Sequence, residues 1–298
     1  MKIAVLASPE SWYVRDLARA AAARHEIVQA PFDQISSCTE FSASQAKYET
    51  HVSAGPIDLS SFEAVLVRTM PPGSLEQVVF RMDALAALEQ AGVLVLNPPK
   101  AIEAAVDKFL TTARLAAGGL PTPRTLVCQT VDAAMEAFER FGRDVIVKPI
   151  FGGEGRGITR VSDDAIAWRV FSTIIQLRAV IYLQEFVSHS GYDLRVLLIG
   201  DEPFAMRRES ASDYRTNISR GAIGKPHKLT DEELELARRS ASLIGAPLAG
   251  VDLLRDASGK LYVIEVNGVP GWQATSRVLG IDIAAKVLAY VETLGGKR

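Results

Sequence analysis

Cysteine is scarce in this 298-residue chain: Cys38 and Cys128 stand far apart and in no metal-ligand spacing. That excludes a disulfide framework and reads as a pair of reduced thiols in a cytoplasmic protein. Histidine is nearly as rare. The four residues His25, His51, His189 and His227 form no cluster, which leaves no basis for a histidine-built metal centre. Neither sign of charge dominates. A formal net charge of −2 removes the broad basic footprint of a general nucleic-acid binder, so no nucleic-acid partner is expected. No hydrophobic run approaches a membrane span. The N-terminus is apolar only from Ile3 to Ala7 before Pro9 and Glu10 intervene, too short for a signal-peptide core. No membrane partner is expected either. What is present is ordinary for a globular protein of about two domains, with 48% hydrophobic and 23% charged residues.

Residues 2–7 read as a short buried strand, 12–24 as an Ala-rich helix, 26–30 and 64–68 as strands, 75–91 as a helix and 93–96 as a strand. This alternation predicts a small parallel α/β domain. Its first turn, Ser8-Pro9-Glu10-Ser11, lacks the glycines of a dinucleotide-binding fingerprint. Residues 32–61 show no clear period and read as loops with edge strands. Asn97-Pro98-Pro99 marks a boundary, after which one helix is expected over 101–117, closed by Gly118-Gly119. Residues 121–127 lead into a helix over 131–141. Strands at 144–149 and 181–187 and a hairpin over 193–206 then give the second half a mixed α+β character.

The chemistry concentrates at the end of the chain. On the strand LYVIEVN, side chains alternate, so Glu265 and Asn267 share one face and Ile264 and Val266 the other. A charge facing a core is costly unless paired or metal-bound. Upstream, Gly250-Val251-Asp252-Leu253-Leu254 carries another isolated carboxylate, and Asp256-Ala257-Ser258-Gly259 is a natural hairpin turn. Folding there brings Asp252 close to opposite Glu265, within a residue of slip. Three hard oxygen ligands then converge, a set suited to Mg2+ that keeps waters and phosphate oxygens.

A glycine-rich loop, Gly152-Gly153-Glu154-Gly155-Arg156-Gly157, follows a strand ending in Lys148. Its glycines allow close approach of backbone amides to phosphate, although it is neither a Walker A loop nor a G-x-G-x-x-G motif. The arginines Arg207, Arg208, Arg215 and Arg220, together with Arg195, suit a polyphosphate or an anionic substrate; a solvated loop paired with Glu209 and Asp213 is the alternative. Gln184 to Val187 could offer backbone groups to an adenine edge, and Asp193 could hold a ribose hydroxyl.

In this order, DKF (Asp107–Phe109), VIVKP with its glycine loop, QEFV, DLRVLLIG, YRTNISRGA, GVDLL and YVIEVNGVPG resemble the ATP-grasp superfamily, and within it the RimK-type glutamate ligases. The segments VRTMPPGSLEQVVFRMD and PTPRTLVCQ look like ligases associated with tetrahydromethanopterin-type cofactors. The resemblance implies an ATP-grasp fold, α/β and α+β, preceded by a small Rossmann-like domain. The division it suggests is 1–97, a central subdomain at 98–185 with the glycine lid, and a metal-bearing subdomain at 186–298. It implies that Lys108 and Lys148 contact ATP phosphates, with Gly153, Gly155 and Gly157 covering them. Gln184, Glu185, Phe186 and Val187 would line the adenine pocket and Asp193 would bind ribose. Arg215 and Asn217 would meet the phosphates, and Arg208, with Arg195, would serve the reacting groups. Asp252, Glu265 and Asn267 would hold two Mg2+ ions, with Mn2+ a possible substitute. The implied reaction joins an amino acid, L-glutamate by expectation, to a carboxylate on a small acceptor, or on a protein or peptide. A homo-oligomer is the expected state. Trp272, just past the metal ligands, either stacks on a flat pterin or fills core.

Overall fold

The computed structural model describes residues 1–42, 46–153, 155–210, 216, 218 and 221–296. The chain opens with β1 (Lys2–Leu6), α1 (Trp12–Ala21) and β2 (Glu26–Ala30). A hairpin follows, β3 (Ile35–Ser42) and β4 (Lys47–Ala54), with a short third strand β5 (Ile57–Asp58). Then come β6 (Ala64–Val67), α2 (Leu75–Gln90) and β7 (Leu94–Leu96). The parallel sheet runs in the order β2-β1-β6-β7, as the α/β alternation predicts. The hairpin departs from the expected loops: its strands are paired along eight positions. Most of β3 faces solvent, so no apolar period marks it in the sequence.

The expected helix over 101–117 is two helices, α3 (Pro99–Val106) and α4 (Lys108–Ala117). Asp107 between them is extended and caps α4, its carboxylate accepting from Leu110 N at 2.9 Å. An N-cap aspartate ends one helix by starting the next. It also places Lys108 at the first turn of α4. Residues leading into the next helix form a strand, β8 (Thr125–Cys128), before α5 (Val131–Arg140), β9 (Val145–Lys148), β10 (Thr159–Val161), α6 (Asp164–Gln176) and β11 (Ile181–Glu185). These make an antiparallel sheet of order β10-β9-β11-β8, closed on α5 and α6 around Phe138 and Phe171.

The last sheet has the order β14-β13-β12-β15-β16, from β12 (Tyr192–Ile199), β13 (Glu202–Glu209), β14 (Ile223–Pro226), β15 (Leu248–Arg255) and β16 (Leu261–Asn267). Helix α7 (Asp231–Ile244) precedes β15, while α8 (Gln273–Leu279) and α9 (Ile283–Gly295) end the chain. Core packing links these pieces across 97/98 and 185/186. Ala101, Ala104, Leu115 and Leu120, from α3, α4 and the turn after them, share a core with Leu194, Val251 and Val263 of the last sheet. The buried face of α9, through Ile283, Val287 and Val291, shares another core with Ile3, Val5 and Leu66 of the first sheet and Leu197 of β12. Each such side chain contributes roughly 1.5–3 kcal/mol when fully buried, so the first and last sheets stabilise each other.

Asn97 ties this junction by polar contacts. Its amide donates to the carbonyls of Leu248 and Gly268, and its oxygen accepts from Leu248 N at 3.0 Å, all buried. Replacing Asn97 by alanine leaves three buried backbone groups unpaired. Urea titration of Asn97→Ala is expected to show a loss of about 2–4 kcal/mol; a change within error of zero would contradict this account of the junction.

Candidate active site

Register across the last sheet builds a row of charge. Asp252 of β15 pairs with Glu265 of β16 on one side and Arg195 of β12 on the other, and Asp193 of β12 pairs with Arg208 of β13. Side chains two apart on a strand share a face, so Asp193, Arg195, Arg208, Asp252 and Glu265 all stand on one side of the sheet. Their partners are close. Arg208 Nε donates to Asp193 Oδ1 at 2.8 Å, and its Nη2 reaches both the other Asp193 oxygen and, at 2.9 Å, Asp252 Oδ2. Arg195 Nη1 donates to Asp252 Oδ1 at 2.8 Å. The Arg195 guanidinium lies over Gly250, where a Cβ would come within 2.4 Å of it. Glycine there lets the arginine reach its carboxylate.

The expected register of Asp252 opposite Glu265 is found, with one refinement. Pairing slips between Asp252 and Leu253, because Ile264 is an extra residue on β16. The bulge turns Ile264 to the same side as Glu265, so strict alternation fails at that position and an apolar side chain joins the site. Val266 remains in the core as expected.

This face forms one wall of a cleft with about 780 Å3 of empty space; the other wall is the sheet carrying β9 and β11. Lys148 and Gln184 project from that second sheet, the lysine Nζ donating to Gln184 Oε1 at 2.7 Å. Lys108 enters from the first turn of α4. Its amide donates to Ile150 O at 3.2 Å, its Nζ donates to Gly152 O, and Nζ lies 4.0 Å from Glu265. At the linker after β11, the Glu185 carboxylate is held by Arg124, and the Phe186 ring lies under the Arg160 guanidinium at 3.6 Å. Side chains so engaged leave mainly main chain to face a ligand. Gly157 requires glycine: its φ is +71° and a Cβ would meet Pro149 at 2.8 Å.

Of the residues singled out from sequence, the cleft is lined by Lys108, Lys148, Gly155, Gln184 to Val187, Asp193, Arg208, Asp252 and Glu265. Arg195 stands behind Asp252 and does not line it, nor do Gly153, Gly157 or Asn267. Asn267 is paired with Gly250 across the hairpin, one step along the same face. Arg215 and Asn217 lie outside the described residues. Both oxygens of Asp193 are taken up by Arg208. Trp272 is fully buried, edge-on to Tyr13 with its Nε1 donating to Asp16 at 3.0 Å, so it fills core and offers no open face for stacking. Sequence reasoning missed the cleft's apolar lining, Ile146, Ile158, Leu254 and Ile264. Leu254 and Ile146 were findable, since each shares a strand face with a polar site residue two positions away, Asp252 and Lys148; Ile264 depends on the bulge and Ile158 on loop packing.

Electrostatics divide the groups by role. Burial pushes the Asp252 carboxyl up, but the Arg208 and Arg195 guanidinium groups outweigh it and hold it below the usual carboxylate range. Glu265 moves the other way, raised by burial and by the nearby Asp252 charge. Among the described residues no group of three or more His, Cys, Asp or Glu side chains gathers as a metal site. Two carboxylates and an amide on one hairpin instead fit a hard divalent cation that completes its shell with water and phosphate oxygens. The anionic hairpin faces cationic Lys108 and Lys148 across the cleft. The opposed charges suit a polyphosphate with its counter-cation.

Nucleotide-binding folds of this layout, two sheets gripping a cleft behind a glycine-rich loop, define the class. The model of the RimK-like ATP-grasp domain matches residues 105–291, and the chain belongs to that family of ligases. Over 97% of its length it is 31% identical to a tetrahydromethanopterin:alpha-L-glutamate ligase of Methanosarcina acetivorans, covering 98% of that protein. It is 33% identical to a ribosomal protein bS6–L-glutamate ligase of Escherichia coli over 70% of this chain and 71% of that one. Among solved structures, the ATP-grasp ligase PsnB complexed with a phosphomimetic variant of its minimal precursor, Mg and ADP shares the fold. The TM-score is 0.74, at 22% identity over 98% of both chains. No helix among the described residues is long and apolar enough to cross a membrane.

Lys148 makes the site titratable. Burial lowers its amine to about 8, with Glu265 raising it and Lys108 lowering it further. If Lys148 meets the phosphates, as the sequence resemblance implies, they favour its protonated amine, and nucleotide affinity is expected to be complete below about pH 8 and to fall above it, by up to tenfold per unit. Calorimetry with Mg·ATP at about pH 7 and about pH 9 is expected to show that fall in the wild type. Lys148→Met should bind more weakly and lose the slope; an unchanged slope would remove Lys148 from the phosphates.

Proposed function

We propose that the chain is an ATP-dependent carboxylate–amine ligase that joins L-glutamate to a carboxylate acceptor through an acyl-phosphate, with a tetrahydromethanopterin-type cofactor as the acceptor. The observation carrying this reading is the opposition of Lys108 and Lys148 to the Asp252–Glu265 pair within one cleft. The near full-length similarity to a ligase acting on that cofactor supports the acceptor class. Mg2+, two ions with Mn2+ able to replace them, would be held by Asp252, Glu265 and Asn267 and would neutralise phosphate charge.

The chain's own residues do the positioning. Main chain at Glu185 to Val187 and the apolar Ile146, Ile158, Leu254 and Ile264 receive the base. Lys148 and Lys108 set the phosphates in line, and the loop from Gly152 to Gly157 closes over them. An acceptor carboxylate attacks the γ-phosphoryl group, ADP departs, and the amine of glutamate then displaces phosphate from the acyl-phosphate. Arg208, anchored by Asp193, is placed to stabilise charge on the transferring group. Exclusion of water by the loop protects the acyl-phosphate from hydrolysis. The catalytic power lies in orientation and fixed charge, so no nucleophilic side chain is called for. We place the enzyme in the cytoplasm as a homo-oligomer.

The test is ADP release from Mg·ATP and L-glutamate across a panel of carboxylate acceptors, with mass spectrometry of the products. A glutamyl adduct on a pterin-type cofactor is the expected result. An adduct formed only on a protein or peptide would overturn the acceptor, and failure to bind Mg·ATP would overturn the ligase reading itself. Asp252→Asn and Glu265→Gln are expected to lower ADP release by at least about 100-fold with the fold intact. Near-normal release in either variant would remove that residue from the reaction.

A further inference from the structure

Arg68 is a buried cation without a counter-charge. It is 5% exposed, and among the described residues no carboxylate pairs with it. Its Nη2 donates to Pro270 O at 2.6 Å, while Nε and Nη1 are buried with no hydrogen-bond partner among the described residues. Two aromatic rings flank the guanidinium, Trp272 at 4.1 Å and Tyr13 at 4.7 Å. The nearby Asp16 is already engaged, accepting from Trp272 Nε1 and from Arg19. Ring faces offset part of the cost of such a charge but leave its N–H groups unsatisfied. A buried guanidinium with orphan donors is unfavourable unless something outside the chain completes it.

Its position says where that something comes from. Arg68 follows the last residue of β6, and both Arg68 N and Thr69 N donate to Leu6 O at the end of β1. In the sheet order β2-β1-β6-β7 the chain leaves β1 toward β2 on one side and returns as β6 on the other. The crevice outside the carboxyl ends of β1 and β6 is thus the topological switch point, where open α/β sheets take their ligands. From the other side, the guanidinium is bonded to Pro270, three residues after the metal-ligand candidate Asn267. Three residues span at most about 10 Å, so the Pro270 backbone that holds the guanidinium lies within about that distance of Asn267.

Resting on the ligase reading above, we propose that Arg68 is a carboxylate receptor of this enzyme, completing its hydrogen bonds with a substrate carboxylate held between the first domain and the loop 268–272. Tyr13, half-buried beside fully buried Trp272, is the cover that yields when the anion enters. The carboxylate belongs either to glutamate or to the acceptor, and separate probes distinguish the two.

The test uses Arg68→Met and Arg68→Lys in the full chain, with three readouts: thermal midpoint, calorimetric Kd for Mg·AMPPNP, and Kd for L-glutamate and for N-acetyl-L-glutamate with Mg·AMPPNP saturating. Arg68→Met is expected to keep the midpoint or raise it, because an unpaired buried charge is exchanged for an apolar chain of similar length. It should keep Mg·AMPPNP affinity within about twofold while weakening one of the two probes at least about tenfold, with Arg68→Lys recovering part of the loss. Loss of L-glutamate binding assigns the amine substrate; loss of N-acetyl-L-glutamate binding assigns the acceptor side. Unchanged affinity for both probes, a lowered midpoint with no selective loss, or a wild type that binds neither probe would overturn the proposal. A wild type that fails to bind Mg·AMPPNP would instead bring down the ligase reading on which it rests.

Discussion

The structure depends on one electrostatic constraint: Asp252 must be kept ionised although it is only 5% exposed. Arg195 and Arg208 accomplish this from the two neighbouring strands, each donating to a different Asp252 oxygen. Everything else in the last sheet follows from seating those two arginines. Gly250 makes room for Arg195, Asp193 orients Arg208, and the β15–β16 hairpin brings Glu265 and Asn267 onto the same face. Removing one partner from such a buried network costs about 3–5 kcal/mol, far more than an exposed pair. The same arrangement poses a functional condition. On the proposed reading, a cation entering at Asp252 would compete with guanidinium for its oxygens, so loading the site and freeing Arg208 toward the phosphates would be coupled by charge balance.

The first domain contributes by holding the segment that leaves the site. Asn97 donates to Gly268 O, Arg68 donates to Pro270 O, and Asp16 accepts from Trp272. A Cβ on Gly271 would approach the Tyr13 hydroxyl to 2.6 Å, so that residue too is set by the first domain. Four of the five residues after Asn267 are therefore fixed from residues 13–97. Together with α9 packed between the first and last sheets, this makes the first domain part of the frame of the site.

How much of this the sequence disclosed depends on range of interaction. The hairpin and the opposition of Asp252 to Glu265 were legible because a turn sequence and a period of two are local signals. Lys148 was legible as the polar end of an apolar strand, and Gln184 only as part of the segment 184–187 that could offer backbone groups to an adenine edge. The bulge at Ile264 was not, since one inserted residue on a strand leaves no mark in composition. Nor was the break at Asp107, where a helix-capping residue sits inside an apparently continuous helical stretch. The β3–β4 hairpin escaped because its exposed strand has no hydrophobic face to alternate. Arg68 looked like an ordinary strand end; only the tertiary placement of Tyr13, Pro270 and Trp272 makes its charge conspicuous. The ion pairing of Asp193 and Arg208, fifteen residues apart, likewise needed the β12–β13 register.

The most direct test of the central claim is a crystal structure with AMPPNP and Mn2+, reading the metal by anomalous scattering. Metal density coordinated by Asp252, Glu265 and Asn267 is expected, with the triphosphate between Lys108 and Lys148 and Arg208 moved off Asp252. Metal bound elsewhere, or a nucleotide outside the cleft with Arg208 still paired to Asp252, would contradict it.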